Sequence, residues 1–347
     1  MSQTITVAIV GLNRLTASLG MALRAHSEQP KTELSFLVRG QDGNRTAMNA
    51  ARELRALDET VGNARDVVKD AHIVITSLPP GVIHDVYEYF APNLKPGAVV
   101  LDMSVFKQAI VDLARSVFVT GEDGKPVAHL VGIQPLVHND YLFEPRMDVD
   151  AADVHLFTGS DMLIVPDVRA SQDAVKLATD LAEILQMQPR YLTTDEYDSV
   201  ADFTERLPLL LGFALFASMH TAPGRLDLMR AVNPNLALMM HALRDAEGSD
   251  LHRMWRYQPE NTHQRLDELI AMLSHLRDTL TAEDDDAARE DIDATLKAFR
   301  NWQTRRAQRD WDTYQDDKPK ATQFGLFGAL GNLFGGGRPR DEDQPSR

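Results

Sequence analysis

The apolar positions of this chain change period at Gly11. Val7, Ala8, Ile9 and Val10 run unbroken into that glycine, and the apolar residues after it recur at Leu15, Leu19, Ala22 and Leu23. A continuous apolar run reads as a strand buried on both faces and the later spacing as a helix, so the stretch predicts a strand, a tight turn and a helix. The alternation repeats along the first half of the chain. Strands are expected over 33–38, 71–80, 98–102 and 129–133, with helices over 82–90 and 106–117 and a hairpin-like segment at 121–124. Shorter strands over 162–165 and 190–192 flank a helix over 171–186, placed to close an edge of the sheet.

The strands stop after Thr194. Residues 207–217 are apolar all round, which predicts a helix buried on every side, within a helical domain or between subunits. Leu266, Leu269, Leu273, Leu276 and Leu280 mark another helix, and Ile292, Leu296, Phe299 and Trp302 a last one. The pattern therefore predicts an α/β Rossmann-type, mostly parallel sheet over 1–193, then an all-helical substrate and dimerisation domain over 194–312. A tail over 313–347 mixes large apolar residues with glycines at 324–337. It cannot pack a core alone and is expected to be flexible, with docking to a partner or membrane interface as the alternative.

Composition narrows the function. The 347 residues, 44% of them hydrophobic, are enough for about two domains. A net charge of −15, from 36 basic and 51 acidic residues, argues against a nucleic-acid or anionic-membrane surface. With no cysteine there is no disulfide, thiolate nucleophile or Cys-based metal site, and the histidines show no paired-ligand spacing, so no metal is expected. No apolar run is long enough to span a bilayer and no signal core opens the chain, which points to the cytoplasm.

The Gly11 turn is where a dinucleotide would sit on such a sheet. Of the G-x-G-x-x-G fingerprint only Gly11 is present; Asn13 and Thr16 take the other two positions, with Arg14 and Leu15 between them. Ligands bind outside the carboxyl ends of the strands, here Gly11 to Thr16, Ser77 to Pro80, Asp102 to Lys107 and Gln134 to His138. Arg39 stands after the expected second strand where an acid would select NAD. With Arg14 and Arg45 it favours the 2′-phosphate of NADP, NAD being the other candidate; solvated surface arginines are the structural alternative.

These blocks together resemble the prephenate and arogenate dehydrogenase family, over about 5–302. The carriers are the Gly11 to Leu19 turn, Leu94-Lys-Pro-Gly-Ala-Val-Val-Leu-Asp102 with Lys107, Val131-Gly-Ile-Gln-Pro-Leu136, Tyr197-Asp-Ser-Val-Ala201 before Leu207-Pro208, and Gly224-Arg-Leu-Asp-Leu-Met-Arg230. The resemblance implies NAD(P)-linked oxidative decarboxylation of a cyclic carboxylic acid; the arginine-rich site suits a small anionic substrate, and the all-round apolar helix over 207–217 points to a homodimer. It also implies a substrate-carboxylate clamp at Arg230.

The departures bear on chemistry. The family's proton-accepting histidine corresponds to Gln134, which can hold a hydroxyl but takes no proton. Its two other histidines correspond to Tyr197 and Arg206, and its serine after the aspartate to Val105, with Ser104 displaced by one. Catalytic candidates are thus Gln134, Lys107 and Ser104; substrate candidates are Arg206, Arg230 and His138; cofactor candidates add Gly11, Asn13, Arg14, Leu15, Thr16, Arg39, Ser77, Pro79 and Asp102. Lys107 and His138 are the substitute proton carriers, and Arg206 is either a ligand cation or the partner of nearby acids. Two readings follow: a dehydrogenase of this type, or a non-catalytic descendant that binds a nucleotide or metabolite or serves in an assembly.

Overall fold

The computed structural model describes residues 3–30, 32–121, 126–257, 259–279 and 285–311. The hairpin-like segment expected at 121–124 falls largely, and the 313–347 tail wholly, outside them. The chain divides into two compact units after residue 258.

The first unit is built on an eight-stranded sheet. In chain order it runs β1 (Gln3–Val10), α1 (Arg14–Ser27), β2 (Leu34–Gln41), α2 (Arg45–Glu53), β3 (Glu59–Thr60), α3 (Ala64–Val68), β4 (Ile73–Thr76) and α4 (Ile83–Phe90). Then come β5 (Val99–Asp102), α5 (Lys107–Val117), β6 (His129–Pro135), β7 (Asp161–Pro166), α6 (Gln172–Ile184) and β8 (Gln188–Tyr191). Strand order is β3-β2-β1-β4-β5-β6-β7-β8, parallel throughout except where β7 runs antiparallel to β6. The order reverses between β1 and β4, so the loops leaving those two strands diverge and open a crevice at their carboxyl ends.

Alternation along each strand supplies both faces of the core. Val7, Ile9, Ile73, Ile75, Val99, Leu101, Val131 and Ile133 pack on the α1 and α6 side. Ala8, Val10, Val74, Val100 and Leu130 pack on the α3, α4 and α5 side. Burial on both faces is why these strands read as continuous apolar runs.

β2 ends three residues beyond the expected 38, because Gly40 continues the strand. A Cβ there would sit 2.4 Å from the Leu57 side chain, so the glycine is demanded by close packing rather than by a turn. The tip of β2 is therefore Gln41 and Asp42, not Arg39.

From Thr194 the same unit continues as helix: α7 (Thr194–Ala201), a π-turn at Asp202–Arg206, α8 (Leu207–Thr221), α9 (Arg225–Arg230), α10 (Pro234–Met239) and α11 (Gly248–Arg256). α8 departs from expectation. Only Leu207, Leu209 and Gly212 of it are buried, while Phe213, Leu215 and Phe216 are exposed. The second unit contains α12 (Pro259–Thr279) and α13 (Asp285–Gln308). Of its stripes, Leu266 and Leu269 are half-buried, Leu273 and Leu276 and Ile292, Leu296, Phe299 and Trp302 are exposed, and Leu280 lies outside the described residues. No described helix is long and apolar enough to cross a membrane.

Candidate active site

A cleft of about 800 Å³ opens at the reversal point, lined by Gly11, Asn13, Asp42, Ser77, Pro79 and Tyr89 among others. Gly11 makes it by its shape: its φ is +91°, and a Cβ would lie 2.1 Å from the Ser77 carbonyl oxygen. Asn13 and Thr16 leave the cleft open because they fold onto the helix. Asn13 Oδ1 accepts the amides of Leu15 and Thr16 at 2.9 and 3.1 Å, Thr16 Oγ1 accepts the Asn13 amide at 3.0 Å, and Asn13 Nδ2 donates to Ser77 Oγ at 2.8 Å. This capping box uses the donors that an anion at a helix N-terminus would take. The remaining amides are engaged as well: Gly11 to the Gln41 carbonyl at 2.9 Å, Leu12 to Asp42 Oδ2 at 2.7 Å and Arg14 to the Met147 carbonyl at 2.8 Å.

Further along the sheet edge, a polar cluster is packed under the ends of β5 and β6. Asp102 is fully buried; Oδ2 accepts from Thr76 Oγ1 at 2.8 Å and Tyr87 Oη at 2.7 Å, and Oδ1 from the backbone and hydroxyl of Ser104. Lys107, 2% exposed, donates from Nζ to the carbonyls of Asp102 at 2.6 Å and Ile133 at 3.0 Å. Burial pulls its ammonium down to about 8, against the opposing pull of Asp102 and Asp198. Its Nζ lies 5.0 Å from the centre of the Tyr197 ring, whose hydroxyl donates to Gln134 Oε1 at 3.3 Å. Burial and the nearby charges of Glu205, Asp102 and Asp198 hold the Tyr197 phenol protonated. Asp198 caps α5 through the Lys107 amide at 2.8 Å and the Gln108 amide at 3.2 Å.

Residues 22–188 match the description "prephenate dehydrogenase, nucleotide-binding domain". That segment, just under half of the chain, is similar to the nucleotide-binding domain of prephenate dehydrogenases. Over 300 residues the chain is 23% identical to a cyclohexadienyl dehydrogenase of Zymomonas mobilis, covering 84% of this chain and 94% of that one. Its fold is similar to prephenate dehydrogenase from A. aeolicus in complex with hydroxyphenyl propionate and NAD+, at 19% identity and TM-score 0.64, covering 89% of this chain and 99% of that one. Synechocystis arogenate dehydrogenase is similar too, at 17% identity and TM-score 0.60, covering 86% and 100%.

The structure gathers Gly11, Asn13, Ser77 and Pro79 at the cleft, the first two ahead of the matched segment. Several other expected residues are placed differently. Arg14 is 3% exposed and turns from the cleft to bind carbonyls of the loop over α1: Ala151 at 3.0 Å, Glu144 at 2.8 Å and Arg146 at 3.3 Å. Arg39 pairs with Glu59 at 3.0 Å, and Arg45 is exposed on α2, so the expected arginine cluster does not form. Thr16 is buried with its hydroxyl donating to the Gly11 carbonyl at 3.0 Å, and Leu15 is half-buried on α1 outside the cleft lining. Asp102 and Ser104 satisfy one another and Lys107 is spent on two carbonyls, so all three brace the strand ends beneath the open face.

The expected substrate cations do not converge. Arg206 is 1% exposed, pairs with Asp202, donates to the Tyr257 carbonyl at 2.6 Å and lies 5.0 Å from the Phe106 ring centre. It is a staple rather than a ligand cation. Arg230 is exposed on α9 near Asp227, at 3.6 Å, and His138 stands on a surface turn 3.5 Å from Asp140. Among the described residues no group of three His, Asp or Glu gathers as a metal site.

Asp42 was not anticipated. It joins Asp85 as the two carboxylates of a cleft lining that carries no lysine or arginine. The signal that could have found it is the apolar-polar pattern of Phe36, Val38 and Gly40, which carries β2 on to Gln41.

Proposed function

We propose that the chain is a nicotinamide-dinucleotide-dependent dehydrogenase that oxidatively decarboxylates a cyclohexadienyl carboxylic acid, prephenate or arogenate, in tyrosine formation. The observation that carries this reading is the open cleft at the reversal point of a domain matched to prephenate dehydrogenase. The cleft suits a nucleoside. Asp42 retains lone pairs for ribose hydroxyls beside its two amide contacts, and with Asp85 it repels a 2′-phosphate, which favours NAD over NADP. A diphosphate would take the Leu15 and Thr16 amides once Asn13 swings off them. When bound, the nicotinamide would accept the hydride; Gln134 would hold the substrate hydroxyl.

Arg230 remains the candidate clamp for the substrate carboxylate, since little of its charge is committed on α9. The exposed apolar residues of α8, α12 and α13 support a homodimer in which a second copy covers them. We place the enzyme in the cytoplasm on its metabolite chemistry.

A second reading, a non-catalytic nucleotide- or metabolite-binding descendant, is favoured by one observation: every backbone amide from Gly11 to Thr16 is already bonded within the protein. Incubation with NAD+ or NADP+ and either prephenate or arogenate, following reduced cofactor and carbon dioxide, separates them. Turnover establishes the dehydrogenase. NADH binding without turnover at high enzyme concentration establishes the descendant.

A further inference from the structure

The loss of the family histidine at Gln134 leaves the proposed reaction without a proton acceptor. Gln134 Oε1 is engaged by the Tyr197 hydroxyl, which leaves the Nε2 donors to hold a substrate oxygen. A donor fixes that oxygen but cannot take its proton. Lys107 does not serve, because its ammonium is enclosed and directed at two carbonyls.

The helix behind Tyr197 supplies another group. Tyr197, Ala201 and Glu205 follow one another at intervals of four and form one row. Tyr197 and Ala201 are buried, whereas Glu205 is exposed at the end of the row. On an uninterrupted α-helix a residue eight positions on would drift by about 80° at 3.6 residues per turn. The wider π-turn at Asp202–Arg206 offsets that drift and returns Glu205 toward the Tyr197 face.

Two electrostatic effects agree with this placement. The charge of Glu205 acts on the Tyr197 phenol, and the Glu205 carboxyl is itself raised by desolvation although solvent reaches it. Such a combination describes a carboxylate that is crowded by protein yet reached by solvent. Unlike Asp198, held by two amides, and Asp202, paired with Arg206, Glu205 has no hydrogen-bond or ion-pair partner among the described residues. The other charged groups around Tyr197 are Asp102 on β5, Lys107 on α5 and Asp198 on α7; Arg206 on the π-turn is turned to Asp202.

We propose that Glu205, returned toward the Tyr197 face by the π-turn, is the general base of this enzyme; the proposal rests on the dehydrogenase reading. The substrate hydroxyl loses its proton to the Glu205 carboxylate as hydride leaves the same ring carbon for the nicotinamide, and the carbon–oxygen bond becomes a carbonyl. Departure of the ring carboxylate as carbon dioxide leaves its electron pair to the ring. The oxygen then recovers the proton from Glu205 as a phenol, so no net proton is consumed.

The test compares the full-length wild type with Glu205→Gln and Glu205→Asp. Glu205→Gln is expected to lower kcat by about 10²–10⁴-fold with NADH affinity unchanged, Glu205→Asp to recover part of it, and wild-type kcat to fall on the acid side. Independently of turnover, infrared difference titration of the wild type with hydroxyphenyl propionate bound should show a protonated-carboxyl band, titrating above the ordinary glutamate range and missing in Glu205→Gln. Wild-type turnover with Glu205→Gln unimpaired, or no such band, overturns the base while leaving the dehydrogenase reading intact. A wild type that neither binds NADH nor turns over overturns both.

Discussion

The carboxylate of Asp42 accepts the Leu12 amide at 2.7 Å, tying the tip of β2 to the turn that leaves β1. An acid thus stands at the cleft where Arg39, three residues earlier on the strand, pairs with Glu59 instead. One carboxylate both fixes the turn and sets the sign of the charge at the cleft.

Asp42→Ala should therefore change cofactor preference. A hydrogen bond to a charged group is worth about 1.5–3 kcal/mol, so NADH should bind roughly ten- to a hundred-fold more weakly. NADPH, relieved of the repulsion, should lose less or gain. Calorimetric titration with each reduced cofactor measures the ratio, and an unchanged ratio removes Asp42 from the ribose position.

Asn13→Gly restores a glycine at the second position of the turn and exposes the Leu15 and Thr16 amides. Replacing an asparagine cap by glycine costs only a few tenths of a kcal/mol, so thermal stability should change little. Dinucleotide affinity should rise several-fold, because an anion no longer displaces the Asn13 side chain from its own helix. Weaker binding of NADH to the variant would mean that Asn13 contacts the diphosphate directly.

The contrast between Arg39 and Asp42 also shows what one sequence can reveal. The parallel sheet was legible because strands buried on both faces carry long apolar runs and the intervening helices carry their own period. The end of β2 was not, since Gly40 looks like a terminator until Leu57, distant in sequence, is seen against it. Arg14 and Arg206 read as ligand cations because their partners, the carbonyls over α1 and the Asp202 carboxylate, are set by tertiary contacts and a π-turn. The same irregular turn hid Glu205. The uniformly apolar α8 predicts burial correctly only if another surface covers what the single chain leaves exposed.

Arg206→Ala should be strongly destabilising. The guanidinium pairs with buried Asp202, donates to the Tyr257 carbonyl and lies near the rings of Phe106 and Tyr257, at 5.0 and 5.9 Å. Removing one partner of a buried ion pair costs about 3–5 kcal/mol, whereas exchanging both for apolar residues of similar volume is often near neutral. Urea unfolding should accordingly show a large loss for Arg206→Ala and a much smaller one for Arg206→Met combined with Asp202→Leu. A small loss in the single variant would mean that the ion pair is not buried and that Arg206 is available to a ligand.

Lys107 gives the pH dependence of stability a definite sign. Its folded ammonium titrates at about 8 against an ordinary 10.5, burial being the main cause and Asp102 and Asp198 opposing it. Between those values the unfolded chain holds a proton that the folded chain has released, so this residue's contribution to stability rises with pH across the window. Below about 8 the folded protein carries the full penalty of an enclosed ammonium, on the order of 3 kcal/mol for a displacement of this size. Lys107→Met removes the titrating group while keeping most of the buried stem. The unfolding free energy of the wild type relative to Lys107→Met should then climb by that amount between neutral pH and the upper end of the window. A difference that stays flat, or falls, would place the Lys107 ammonium in a site whose carbonyls and carboxylates compensate its burial completely.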